Sequence, residues 1–257
     1  MNYETIQVKK KDNVCFVKFT SADGKNCINN TVIYEITKVF QEIQESCNVI
    51  VLEGNEQYFC FGADFKQIGQ NVADGGDTTN NPAPLFDLWK MMTEAPCVII
   101  SHVLGAVNAG GMGFIGASDI VIASDHAVFS LSELLFGLMP AMVLPFLIRR
   151  IGFSKANYLT LTTKPITCEQ ANSWGLVDIQ SEHSEIVLRQ LIARLSKIPK
   201  DGIERYKNYA NKLYQINDDM REKAIEANLQ VFSDDVNLKR IMDFSIMGRY
   251  PWEEKNE

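Results

Sequence analysis

The chain has 257 residues, 46% hydrophobic and 22% charged, enough apolar material for one large globular core. Its formal net charge of −7 argues against a general nucleic-acid binder, which would carry a basic footprint. The N-terminus MNYETIQVKKKDNVCF lacks the apolar stretch of a secretion signal, and no run of about 18 apolar residues occurs, so a cytoplasmic protein with no membrane span is expected.

In chain order, TIQVKKKDNVCFVKFT alternates in two bursts around KKDN and reads as a hairpin. NNTVIYEITKVFQEIQE follows, with Val32, Ile33, Ile36, Val39, Phe40 and Ile43 at helical spacing and Asn30 as the expected N-cap. NVIVLEG is a short buried strand, and YFCFGADFKQI turns at Gly62 into a helix. Residues 70–84, QNVADGGDTTNNPAP, are polar and rich in Gly and Pro, and read as a mobile surface loop placed to act as a lid. Then come a helix PLFDLWKMM, a strand PCVIISHVLG, a helix opened by GGMGFIGASD, a strand DIVIAS, and a strand end and turn AVFSLSELLFGLMP. VLPFLIRRIG and SKANYLTLTT are helical, and TCEQANSWGLVDIQ is a short helix with a strand behind it. From 184 the chain is mostly helix, with Ile186, Val187, Leu191, Ile192, Leu195 and Ile198 forming one apolar stripe.

Strand–helix alternation in the first two thirds and helices in the last third predict an α/β core with a helical appendage. Such an appendage favours a homo-oligomer. Six cysteines (15, 27, 47, 60, 97 and 168) form no C-x-x-C pair and read as reduced thiols. Three histidines, at 102, 126 and 183, lack metal-ligand spacing, so no metal is expected.

Two places bring bare backbone to a helix start after a strand: FGAD, residues 61–64, and NAGGMG, residues 108–113. Glycine permits close approach and positive φ. Facing each other, two such turns could clamp one oxygen between two N–H donors, an oxyanion hole. Read singly, each is also an ordinary tight turn. A dinucleotide site is the weaker reading, because the first strand–turn–helix of the chain is not where such a fold carries its glycine turn.

YFCFGADFKQI, then VLGAVNAGGMGFIGASDIVIAS, then AVFSLSELLFGLMP resemble the enoyl-CoA hydratase/isomerase (crotonase) superfamily in order and spacing. EQANSWGLVD and FSDDVNLKRIMDFSIMGRYPW resemble its later signatures, so nearly the whole chain is covered. The resemblance implies a crotonase-like spiral of ββα units over residues 1–190 and a helical oligomerisation region over 191–257. It implies a homotrimer or hexamer and a thioester substrate on a pantetheine arm, with no further cofactor. By position it puts the oxyanion N–H groups on Ala63 and Gly110, with Gly111 beside them.

Hydratases of this family use two glutamates. The first position is Gly113 here, and the second is Glu133 in LSELLFG. One carboxylate can take a proton at C2 and return it to the departing hydroxyl, provided burial raises its pKa toward neutrality. Glu133, among Leu131, Leu134, Leu135 and Phe136, is placed for that, although a surface or capping role is the alternative. Gly113 is expected to leave room for a branched acyl group. Asp64 is expected to cap its helix, with a substrate contact as the alternative there and at Gly111, His102 to pack rather than act as a base, and Ser130 and Ser132 not to serve as nucleophiles. Lys66, Arg149 and Arg150 are candidates to meet a distal substrate carboxylate.

Within the superfamily the motifs are similar to the dehydratases of polyketide β-branching cassettes. That implies a 3-hydroxy-3-methylglutaryl group on an acyl carrier protein and a partner decarboxylase of the same superfamily. The decarboxylase pattern itself needs a lysine and a histidine, and no histidine follows His183. A single-carboxylate isomerase and a non-enzymatic scaffold remain the other readings.

Overall fold

The computed structural model describes residues 3–74 and 81–253. β1 (Ile6–Lys11) and β2 (Val14–Phe19) pair antiparallel across the two-residue turn Asp12–Asn13, with Asp12 at φ +53°. A left-handed residue there matches the twist of the strands, and Asp tolerates it. In α1 (Asn30–Ile43) the N-cap is Asn29, not Asn30: its side chain accepts the Val32 N–H at 2.9 Å. Either asparagine can cap; the extended backbone at Asn29, φ −136°, decides between them.

Three windings follow. The first is β3 (Val49–Glu53), β4 (Tyr58–Cys60), α2 (Phe65–Ala73) and α3 (Ala83–Glu94). The second is β5 (Val98–Val103), β6 (Ala106–Asn108) and α4 (Gly111–Ala117). The third is β7 (Ile120–Ala123), β8 (Val128–Ser130), a 3-10 turn over Glu133–Phe136, and α5 (Leu144–Thr162), which breaks at Gly152. Then come β9 (Ile166–Thr167), α6 (Cys168–Ser173) and β10 (Ile179–Gln180). Each winding gives its first strand to one sheet and its second to the other. The orders are β1-β2-β3-β5-β7-β10 and β4-β6-β8-β9, parallel except at β1–β2 and β8–β9. This is a spiral of ββα units.

The central strands are apolar on both faces because both are covered, as parallel sheets require. Ile50, Leu52 and Ile99 face the main core, while Val49, Val51, Ile100 and Ile122 face outward. α7 (Ser184–Leu195) covers that outer face with buried Leu188 and with Val187, Leu191, Ile192 and Leu195. Ile186, expected in this stripe, is 46% exposed; Leu188 holds the inward position because it lies in helical phase with Leu191 and Leu195. The expected boundary between residues 190 and 191 falls inside α7. α8 (Lys200–Leu213), α9 (Asp218–Phe232) and α10 (Asp235–Met247) complete the helical end. Buried Lys207 anchors α8 by donating to the Cys97 carbonyl at 2.9 Å and to Asp119 at 2.7 Å.

The expected loop 70–84 is shorter than its composition suggests, since α2 runs to Ala73 and α3 starts at Ala83. Gly69 lies against Ser245 of α10, so tertiary contact carries the helix onward. Residues 75–80 of that loop lie outside the described residues. Among the described residues no helix is long and apolar enough to cross a membrane, and no group of His, Cys, Asp and Glu is clustered to hold a metal ion. All six cysteines are free, and burial pushes the Cys15 thiol up to about 12.

Candidate active site

β4 and β6 run side by side and in parallel, so the turns that follow them arrive together. Gly62 (φ +87°) and Ala109 (φ +48°) are both left-handed. A Cβ on Gly62 would lie 2.7 Å from the Ala109 Cβ and 3.2 Å from the Gly110 nitrogen, so only glycine lets the two turns touch. The neighbouring backbone groups are used: Ile28 N–H donates to Gly62 O, Ala109 N–H to Ser130 O, and Phe65 N–H to Ala63 O. Among the described residues, the N–H groups of Ala63 and Gly110 donate to no protein acceptor. Two free donors on touching turns can together hold a developing oxyanion.

β8 pairs with β6, with Ser130 opposite Asn108, and so delivers Glu133 to the same region. Glu133 opens the 3-10 turn, which closes on Gly137 at φ +78°. It is 9% exposed, and its Oε2 is buried with no hydrogen-bond partner. Burial raises its pKa from 4.5 to about 7, against a smaller opposing pull from the backbone N–H groups of Glu133 and Ser132. A carboxyl poised there can hold or release a proton near neutrality.

Asn108 ties the two halves together. Its Oδ1 accepts from Ser130 Oγ at 2.8 Å, and its Nδ2 donates to Ser132 Oγ at 2.9 Å, beside Glu133. Nothing in the local pattern marked Asn108, because its partners come from the next winding. Phe136 anchors the 3-10 turn from the other side. It packs on Phe65 at 5.2 Å and on Phe244 at 5.1 Å, between the helix after the first turn and α10.

Gly113 does not leave room for a branched acyl group. A Cβ there would lie 2.3 Å from Cζ2 of Trp89, whose fully buried ring fills the space. Trp89 comes from α3 and was not a site candidate, because it reads as an ordinary core residue of an amphipathic helix. Gly111 also serves packing: its Cβ would lie 2.2 Å from the Cys60 carbonyl oxygen, so it lets α4 approach β4. Asp64 caps α2, accepting the N–H groups of Lys66 and Gln67 at 3.1 Å each. Lys66 is exposed.

Arg150 is not available to a substrate carboxylate. Its guanidinium donates to Asp178 at 2.5 Å, Leu176 O at 2.8 Å and Ser118 O at 3.0 Å. Arg149 reaches Asn211 at 3.4 Å. Both line a cavity of about 770 Å³ with Tyr206, Tyr209 and Tyr214, and none of Ala63, Gly110 and Glu133 belongs to its lining. His102 is buried with its ring nitrogens held by Glu53 and Ser184, each at 3.0 Å, which is a packing and bracing role.

A spiral of ββα units with paired backbone donors and one buried carboxylate defines an enzyme of the crotonase class. The chain belongs to the enoyl-CoA hydratase/isomerase family, whose model matches residues 9–257. It is 44% identical to the bacillaene synthase dehydratase PksH of Bacillus subtilis, over 99% of each chain. The crystal structure of a polyketide-biosynthesis enoyl-CoA hydratase (PksH) from Bacillus subtilis superposes with a TM-score of 0.94 at 45% identity, covering 97% of this chain and 100% of that one. An enoyl-CoA hydratase from Bacillus halodurans shares the fold, with a TM-score of 0.85 at 19% identity, covering 93% of this chain and 99% of that one. These relatives place the chain among hydro-lyases.

Proposed function

We propose that the enzyme removes water from a 3-hydroxy-3-methylglutaryl thioester on an acyl carrier protein, giving 3-methylglutaconyl-carrier protein during polyketide β-branching. The observation that carries this reading is Glu133, buried, unpartnered at Oε2 and with a pKa near 7, on the turn that follows β8, the neighbour of the strand that leads into the Gly110 turn. As carboxylate, Glu133 takes the C2 proton while Ala63 and Gly110 hold the thioester oxygen as the enolate forms. As acid, it returns that proton to the hydroxyl leaving C3, so substrate becomes product plus one water and the carboxylate is regenerated. Similarity to the PksH dehydratase supports the polyketide assignment and, with it, a carrier protein as partner and a decarboxylase acting next.

The same reading expects a homotrimer or hexamer in the cytoplasm. Exposed Phe153, Tyr158 and Leu161 on α5, with Tyr206, Tyr209 and Leu213 on α8, support self-association, since monomers seldom expose so much apolar surface. Intact-mass analysis of hydroxymethylglutaryl-carrier protein after incubation with the enzyme tests the reaction. Loss of one water is expected. An unchanged mass would point to an isomerase, and loss of water with carbon dioxide to a decarboxylase.

A further inference from the structure

α10 touches both halves of the site. Ser245 lies against Gly69 of α2, and Phe244 packs on Phe136 of the Glu133 turn at 5.1 Å. Arg240 is one helical turn earlier on the same face of α10. It meets the end of the Glu133 turn at Gly137, where a Cβ would lie 2.4 Å from Arg240 Nη1 and 2.2 Å from Asn237 Oδ1. Glycine at this left-handed position therefore clears the space in which the guanidinium rests. Buried Asn237 holds it there, accepting from Arg240 Nη1 at 3.0 Å while donating to the Val231 carbonyl at 3.1 Å. Arg150 and Arg221 have carboxylate partners in Asp178 and Asp87. Among the described residues, no carboxylate pairs with Arg240. A half-buried guanidinium, fixed on one side by a neutral amide and left without a counter-charge, is open to an anion.

We propose that Arg240 receives the distal carboxylate of the substrate and so selects a dicarboxylic hydroxyacyl group over a neutral one. This rests on the dehydratase reading above. It fills the place left open by Arg150, which is tied to Asp178, and by Arg149, whose cavity excludes the site residues. Glu133 and Gly137 are four residues apart on a 3-10 turn rising about 2 Å per residue, so the guanidinium stands about 8 Å along the turn from the Glu133 backbone. The distal carboxylate lies two carbons beyond C3, the carbon whose hydroxyl Glu133 protonates. A glutamate side chain, the reacting C3 and that carboxylate fill a span of this order. A guanidinium meets a carboxylate with two parallel N–H donors, and Asn237 takes only one of the five that arginine carries. One charged residue at each end of a single turn would thus serve the two ends of the acyl group: Glu133 the reacting carbons, Arg240 the far carboxylate.

Calorimetric titration of Glu133→Gln protein, which binds without turnover, tests this with two probes. They are 3-hydroxy-3-methylglutaryl-CoA and 3-hydroxy-3-methylbutyryl-CoA, which differ only in the distal carboxylate. The dicarboxylic probe should bind more tightly. Adding Arg240→Gln should weaken it about ten- to a hundredfold relative to the neutral one, the range of a hydrogen-bonded charge pair. Adding Arg240→Lys instead should restore part of the preference, since lysine meets a carboxylate as a single point charge. A merely structural arginine would move both probes alike. Equal weakening of the two, or none, overturns the proposal, as does equal binding before Arg240 is changed; each leaves the dehydratase reading standing. If Arg240→Gln fails to fold, the lysine variant decides: a preference undiminished from that of arginine overturns the proposal. If Glu133→Gln protein binds neither thioester, both readings fall.

Discussion

Replacing Glu133 with glutamine should cost activity and add stability, and the stability gain should depend on pH. Burial lifts the Glu133 pKa from 4.5 to about 7. The folded chain therefore binds this proton more tightly than the unfolded chain does. Between about pH 4.5 and 7 the unfolded form ionises while the folded form stays protonated, so stability falls as pH rises. At about 1.4 kcal/mol per pKa unit, the full penalty is about 3 kcal/mol above pH 7 and vanishes below pH 4.5. Glutamine never ionises and escapes it. For a chain of this size that corresponds to a melting temperature higher by several degrees, at most about 10 °C, at pH 8. At pH 4.5 the two proteins should melt together. The same variant should lose roughly a hundredfold or more in kcat, since no carboxylate carries the proton. Thermal melts of both proteins at the two pH values, beside a turnover assay, measure both effects. A glutamine variant no more stable at pH 8 than at pH 4.5 would refute the burial argument, and one keeping a tenth of the activity would refute the proton-shuttle role.

Three further outcomes follow from the packing. Gly113→Ala should lower stability by about 1–3 kcal/mol in a thermal melt, because its Cβ would press on the locked Trp89 ring; an unchanged melting temperature would mean the space is open after all. Asn108→Ala should reduce kcat by about tenfold with little change in KM, as Ser130 and Ser132 lose their bridge and the Glu133 turn drifts from the oxyanion donors. A rise in KM alone would count against that coupling. Arg150→Ala should destabilise the fold by about 1–3 kcal/mol in urea, since it takes the guanidinium donor from the Leu176 and Ser118 carbonyls. Normal stability with a much weakened KM would restore Arg150 as a substrate contact.

The local elements were legible where pattern and punctuation agree. Alternation set the β1–β2 hairpin, helical spacing set α1, and the two glycine turns marked the ends of β4 and β6. They failed where a neighbour from another winding overrode composition. α2 runs on into a polar stretch because α10 packs against it. Leu188 rather than Ile186 faces the sheet because the sheet fixes the helix phase.

From the sequence alone came the order of strands, turns and helices, the family resemblance, and the choice of Glu133, Ala63 and Gly110 as candidates. Those rest on local chemistry: glycine where the backbone must turn, apolar residues at fixed periods, a carboxylate inside an apolar motif. Only the tertiary structure decided that Gly62 and Gly110 touch, that Asn108 links them to the Glu133 turn, and that Arg150 is occupied. It also decided that Trp89, not empty space, stands against Gly113. Burial, pKa and occupied volume are set by atoms that meet only when the windings stack, and no stretch of sequence carries its own neighbours from the other layer.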